Sequence, residues 1–187
     1  MPVTPIRAVS FPGESRLRPS YKSAYFIDAF AVTLPTQGSK AYRPDFLAKA
    51  FFTEWPAWFS LLMWIRDQVM SVFGVKRSTE IQAAAAKKGI ETIAVFPVIS
   101  RSNNEIILGE NDSHLNFQTS ILIRDVQPSM ANDRGGDESC KEVVATTVVH
   151  CHGLFGKAYI TIIKPFHVLI VKYNLARLPN KIVTKEY

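Results

Sequence analysis

Two periods organise the apolar positions of the chain. From Tyr21 to Leu34, in YKSAYFIDAFAVTL, they recur every second residue, so Ala24, Phe26, Asp28, Phe30 and Val32 share one strand face. Asp28 stands between two phenylalanines on that face, which predicts either a strand-end carboxylate wrapped by polar partners or one that looks into a cavity. After a turn from Pro35 to Lys40, RPDFLAKAFF predicts a helix with Pro44 in its first turn. A longer helix is expected from about Glu54 to Phe73, with Thr53 as N-cap and Gly74 just past its end. Trp58, Leu61, Leu62, Ile65, Val69, Val72 and Phe73 repeat there at helical spacing, and Phe59, Met63 and Trp64 add a second apolar side. Thr79-Glu80-Ile81-Gln82 has the capping-box form and leads into a short helix, AAAAKKG.

From Glu91 onward the period is two. Strands are expected at Thr92 to Ser100, Glu105 to Gly109, His114 to Val126 and Cys140 to His152, joined by short polar turns and one loop, Pro128 to Ser139. In the third of these, Leu115, Phe117, Thr119, Ile121 and Ile123 face one way, and Asn116, Gln118, Ser120 and Arg124 the other, predicting one dry and one wet face. Phe155, Tyr159, Ile162, Phe166, Ile170 and Tyr173 then recur at three or four residues, the mark of a helix from Gly153 to about Leu178 that ends before Pro179. Pro165 should kink it and free the carbonyl of Thr161; a strand and turn up to Lys164 is the alternative. Residues 1–20, with four prolines, read as an arm, 21–178 as one domain and 179–187 as a tail. The fold class is α+β: an antiparallel sheet with helices on one face and a long C-terminal helix across it.

Composition narrows the functional classes. At 187 residues, 47% hydrophobic and 20% charged, the chain can bury a core without disulfides or metal. The net charge of +6 is spread along the chain and not gathered on one element, which argues against nucleic acid as partner. The most apolar run, Ala158 to Val171, is interrupted by Lys164, Pro165 and His167, so no membrane span is expected. Residues 1–20 contain no apolar signal segment, and Cys140 and Cys151 fit a reducing compartment, so the expected address is the cytoplasm. No phosphate-binding glycine loop or paired-cysteine motif is present, and no cofactor is expected.

Candidate chemistry is carried by a few residues. His167, two positions past Pro165 and on one helical face with Ile163, Ile170 and Asn174, could bind a ligand or act as a general base; equally it could be a core histidine satisfied by the carbonyl freed at the kink. Asp112-Ser113-His114 closes a hairpin, where Asp112 either orients His114 for catalysis or caps its own backbone. His150 and His152 share a strand face at a spacing that metal sites use, but the sequence names no third ligand beyond His114 on a neighbouring strand, and the alternative is a polar strand end. Cys151 lies between them. Arg66, on the long apolar helix, is a candidate partner for Asp28 or a polar anchor for a ligand headgroup.

Some stretches resemble a known family. In GLFGKAYITIIKPFHVLIV, the residues Gly153, Leu154, Gly156, Tyr159, Pro165, Phe166 and His167 match the pattern G-L-x-G-x-x-Y, then P-[FL]-H, of an uncharacterised bacterial domain family. FIDAFAV, WPAWFSLLMWIRD, FPVI and NEIILGENDSHLNF resemble it as well. The family occurs alone or fused behind an NAD(P)-binding, short-chain-reductase-like domain, so this chain resembles the stand-alone form, and any dinucleotide-binding partner would be a separate protein. The order of elements is similar to the helix-grip fold of the START, Bet v 1 and SRPBCC superfamily, which implies a curved sheet closed by the C-terminal helix. The expected function is binding of a small apolar or amphipathic molecule between the two, lined by Tyr159, Phe166 and His167 from the helix and Phe117, Thr119 and Ile121 from the sheet, with Arg66 and Asp28 as polar contacts. The alternatives are a cyclase- or hydratase-like enzyme using His167 or His114, and an interaction module accessory to a reductase. The reaction, if any, the ligand and the oligomeric state are not specified by sequence.

Overall fold

Seven strands form one antiparallel sheet in the order β1-β2-β7-β6-β5-β4-β3. They are β1 (Arg7–Ala8), β2 (Phe26–Thr33), β3 (Thr92–Ile93), β4 (Phe96–Arg101), β5 (Glu105–Asn111), β6 (Leu115–Asp125) and β7 (Lys141–Cys151). Helix α1 spans Pro44–Phe52, helix α2 spans Gly153–Thr184, and a short 3-10 helix spans Arg18–Ser23. The computed structural model describes residues 5–35, 42–53, 89–126 and 140–184, with positions 60, 64, 82, 83, 86 and 87. The helix expected from Glu54 to Phe73 lies outside these residues except for Ser60 and Trp64, and so do Arg66 and the Pro128 to Ser139 loop. The fold is α+β, as the alternation of periods predicts.

Strands β4 to β7 form a meander, and β2 closes against β7, so the first long strand lies beside the last. Strand β7 lies inside the sheet between β2 and β6, and its segment EVVATTVV is eight consecutive buried residues. β-Branched residues suit that position because they pack on a pleated surface from both sides. The two edge strands are two residues long, which leaves little unpaired backbone for another chain to join.

The main core lies under the helices. Phe30, Val32, Ala145, Ile121 and Ile106 from the sheet meet Leu47 and Phe51 of α1 and Val171, Leu175, Leu178 and Ile182 of α2. Lys181 is buried and donates to the carbonyls of Ala50 and Thr53, both at 2.9 Å. It thus satisfies the C-terminal end of α1, where a cation is favoured.

Two expectations change. First, the face of β6 expected to be wet is largely covered: Ser120 and Leu122 are fully buried, and Asn116, Gln118 and Arg124 are half-buried. The N-terminal arm covers that side, with Leu17, Tyr21 and Ala24 packed on Ile107, Val148 and Ile27. The arm also carries structure of its own, β1 and the 3-10 helix, and the first long strand begins at Phe26 and not at Tyr21. Second, α2 runs on through both Pro165 and Pro179 to Thr184. An 18-residue stretch within α2 has mean hydropathy 1.5, which by length and composition alone is long and apolar enough to cross a bilayer. Lys164, Pro165 and His167 lower that average without cancelling it, because the residues around them are so apolar.

Candidate functional site

Register decides which side chains of the sheet meet α2. Asp28 stands opposite Thr147, Thr147 opposite Thr119, and Thr119 opposite Leu108. Side chains alternate across a strand, so this row shares the helix-facing side with Phe30, Ala145 and Ile121. Asp28 is therefore a carboxylate on the dry side of the sheet, 9% exposed. His167 reaches it from α2, with Nε2 3.3 Å from Asp28 Oδ2. That is ion-pair distance, but the atoms are not aligned for a hydrogen bond. Both carboxylate oxygens and His167 Nε2 are buried without a hydrogen-bond partner among the described residues.

Asn174 lies two turns farther along the same face of α2, about 10 Å away. It is 1% exposed, and its Nδ2 also lacks a hydrogen-bond partner among the described residues. Phe26 walls the pair on one side: its ring meets His167 edge-on at 5.7 Å, and Lys164 Nζ sits 5.2 Å over its centroid. The His167 side chain is 27% exposed, so the pair lies at the margin of the helix–sheet interface, where the seam between α2 and β2 reaches solvent. The site offers two carboxylate acceptors, an imidazole that donates or accepts according to its tautomer, and an amide donor, in otherwise apolar surroundings.

The other candidates are placed elsewhere. Thr119 stands in the Asp28 row, 8% exposed, whereas Ile121 is fully packed in the main core. Phe117 is half-buried against Phe96, ring centroids 5.3 Å apart. Phe166 is 44% exposed on the outer side of α2. Tyr159 turns its ring edge-on to His114 at 4.9 Å. His114 is buried, with Nδ1 3.9 Å from Asp112 Oδ2, while Asp112 Oδ1 accepts the backbone N–H of Ser113 at 2.7 Å. That local bond is the backbone-capping role open to Asp112 from its place in the hairpin. Arg101 holds Asp45 and Glu91, both at 2.6 Å. Glu105 is buried on the opposite face of the sheet.

His150 and His152 diverge: the first ring meets Ser23 Oγ at 3.0 Å and the second Asn111 Oδ1 at 3.2 Å. Among the described residues no three His, Cys, Asp or Glu side chains gather as metal ligands. Burial pushes the Cys151 thiol up, partly offset by the nearby charge of Lys157. A raised thiol is a poor nucleophile, since the thiolate is the reactive form.

The glycines of the motif have structural work. Gly153 has φ +72°, the left-handed turn between β7 and α2. A Cβ at Gly156 would lie 2.1 Å from the His114 carbonyl oxygen. That oxygen already accepts the His152 N–H at 2.8 Å, so the helix start is pressed onto the β5–β6 turn. Gly153, Gly156 and Tyr159 together seat α2.

Thr147 and Asn174 belong to the candidate site but were not among the residues proposed from sequence. Asn174 carried a signal, its seven-residue spacing from His167. Thr147 carried none, because its place beside Asp28 depends on strand register.

The family model described as Protein of unknown function (DUF2867) matches residues 20–174, a span that begins in the arm and ends at Asn174. No curated protein and no solved structure matches the chain. The matched span takes in Asp28, His167 and the Gly153–Tyr159 helix start, and the chain belongs to the DUF2867 family.

Proposed function

We propose that this protein binds a small, largely apolar molecule with a hydrogen-bonding end, held between α2 and the sheet with that end at Asp28 and His167. One observation carries the reading: Asp28 is buried with neither oxygen hydrogen-bonded among the described residues, beside an imidazole nitrogen in the same state. Buried polar groups nearly always have partners, and an unpartnered one costs about 1–3 kcal/mol. A ligand hydroxyl or amide could donate to the carboxylate and accept from the imidazole, removing both deficits. The apolar surroundings, Phe26, Phe117, Val149 and Ile160, suit the remainder of such a molecule. A long C-terminal helix over an antiparallel sheet also supports kinship with the helix-grip superfamily.

Native mass spectrometry of freshly purified protein tests this. The wild type should carry a small molecule that Asp28→Val and His167→Leu both lose. A bare wild-type mass, together with an unmoved melting temperature across long-chain alcohols, amides and sterols, overturns the reading.

The same pair supports a second reading, acid–base catalysis of a cyclase or hydratase type, because a carboxylate beside an imidazole is half of a catalytic constellation. His167→Gln separates the two: retained ligand that is no longer converted indicates chemistry, and ligand recovered unconverted from both proteins indicates binding alone.

A further inference from the structure

The side of α2 that faces away from the sheet is apolar as well. Leu154 is 83% exposed, Ile162 67% and Leu169 56%, with Phe155 at 39% and Phe166 at 44%. Positions 154, 158, 162, 165 and 169 follow one another at three or four residues, so the apolar side chains form one stripe. It is about 22 Å long, four turns of helix. Only 17% of the most apolar 18-residue window of α2 is buried, although its mean hydropathy is 1.5. Single exposed apolar residues need no explanation, but a continuous stripe marks a surface that is covered in use.

The charges beside the stripe select what covers it. Gly153–Thr184 contains no Asp or Glu. Lys157, Lys164, Lys172 and Arg177 are all exposed along it, on a chain whose net charge is +6. Lys157 and Lys172 lie over the rings of Tyr25 and Phe30, 5.7 and 4.9 Å from their centroids, which holds their ammonium groups beside α2. A second copy of this face would set these cations against each other. An anionic bilayer surface meets both features, since acyl chains take up the apolar side chains and lipid headgroups face the lysines. Spanning is excluded in this fold, because Ile160, Val171, Leu175, Leu178 and Ile182 are committed to the sheet and α1.

We infer that α2 docks this protein on anionic membrane surfaces, lying in the plane of the interface with the Leu154–Leu169 stripe against the lipid. The docking face and the ligand site lie on different sides of α2, and neither requires the other.

Co-sedimentation with vesicles of phosphatidylcholine, with and without phosphatidylserine, tests it on the full chain. The protein should pellet with the phosphatidylserine vesicles, and salt should weaken the binding. Ile162→Ser with Leu169→Ser should weaken it on the order of tenfold or more with circular dichroism unchanged, since both positions are exposed. Lys157→Gln with Lys172→Gln is a second variant, which should also bind less and lose part of the salt dependence. Four results overturn the inference: no pelleting at low salt, pelleting indifferent to phosphatidylserine, a serine variant that binds like the wild type, or a dimer that the serine variant dissociates.

Discussion

Three buried carboxylates show what a charge inside this protein requires. Glu105, 1% exposed, accepts from the hydroxyls of Ser15 and Ser120 at 2.5 Å and from the N–H of Arg16 at 2.9 Å. Glu142, 2% exposed, is held by Arg7 at 2.5 Å and Arg124 at 2.8 Å. Among the described residues Asp28 has only the misaligned His167, so its position serves stability poorly. Asp28→Val, which extends the apolar face of Phe26 and Phe30, is expected to be neutral or to stabilise the ligand-free protein by up to about 2 kcal/mol in urea denaturation. A loss of more than about 1 kcal/mol would show that the carboxylate is a structural element after all. The anomaly of Asp28 was legible from its two phenylalanine neighbours on one strand face. Its partner was not: Arg66 lies outside the described residues, whereas the near imidazole comes from 139 positions along the chain.

At the scale of elements, α2 shows how packing overrides local rules. A proline inside a helix costs about 3 kcal/mol, and Pro179 predicts a stop. Beyond it, however, Ile182 is fully buried, Lys181 caps α1, and Leu178 just before it is also fully buried. Burying Ile182 contributes about 1.5–3 kcal/mol, and the two charge-assisted bonds of Lys181 add about 1.5–3 kcal/mol each, so together they offset the proline. The start of α2 is equally tertiary in origin. Gly→Ala inside a helix normally stabilises by about 1 kcal/mol. At Gly156 the new methyl would meet the His114 carbonyl at 2.1 Å, so Gly156→Ala should instead lower stability by about 1–3 kcal/mol. Thermal denaturation checks the sign, and a gain in stability would mean that the helix start has room to move.

The whole molecule is a sheet covered on both sides, by helices on one and by the N-terminal arm on the other. Tyr21 reports on the arm: its hydroxyl donates to the Pro12 carbonyl at 3.1 Å, and it packs beside Leu17 on the sheet. Burial pushes the Tyr21 phenol up, partly offset by a hydrogen bond with Ser15 and reinforced by the charges of Glu105 and Glu14. Folding thus favours the neutral phenol. Its contribution is complete below the ordinary tyrosine value of about 10 and is lost as pH rises through the higher folded-state value. The wild type should melt about 2–4 °C above Tyr21→Phe at neutral pH, with the margin closing above about pH 10. A margin that stays constant with pH would disconnect the phenol from arm docking. The covering role of the arm was hidden in its sequence, because its prolines and arginines carry no period, and its contact residues, Leu17 and Tyr21, are scattered singly. What the sequence determined by itself is the set of long elements and the α+β class, since the two-residue and 3.6-residue periods are properties of neighbouring side chains on one strand or helix. Only the tertiary structure decided that Asp28 meets His167, that β6 is buried on both faces from Thr119 to Ile123 and that α2 outruns its prolines. Each of these depends on register and on contacts between residues far apart in the chain, where local periodicity carries no information.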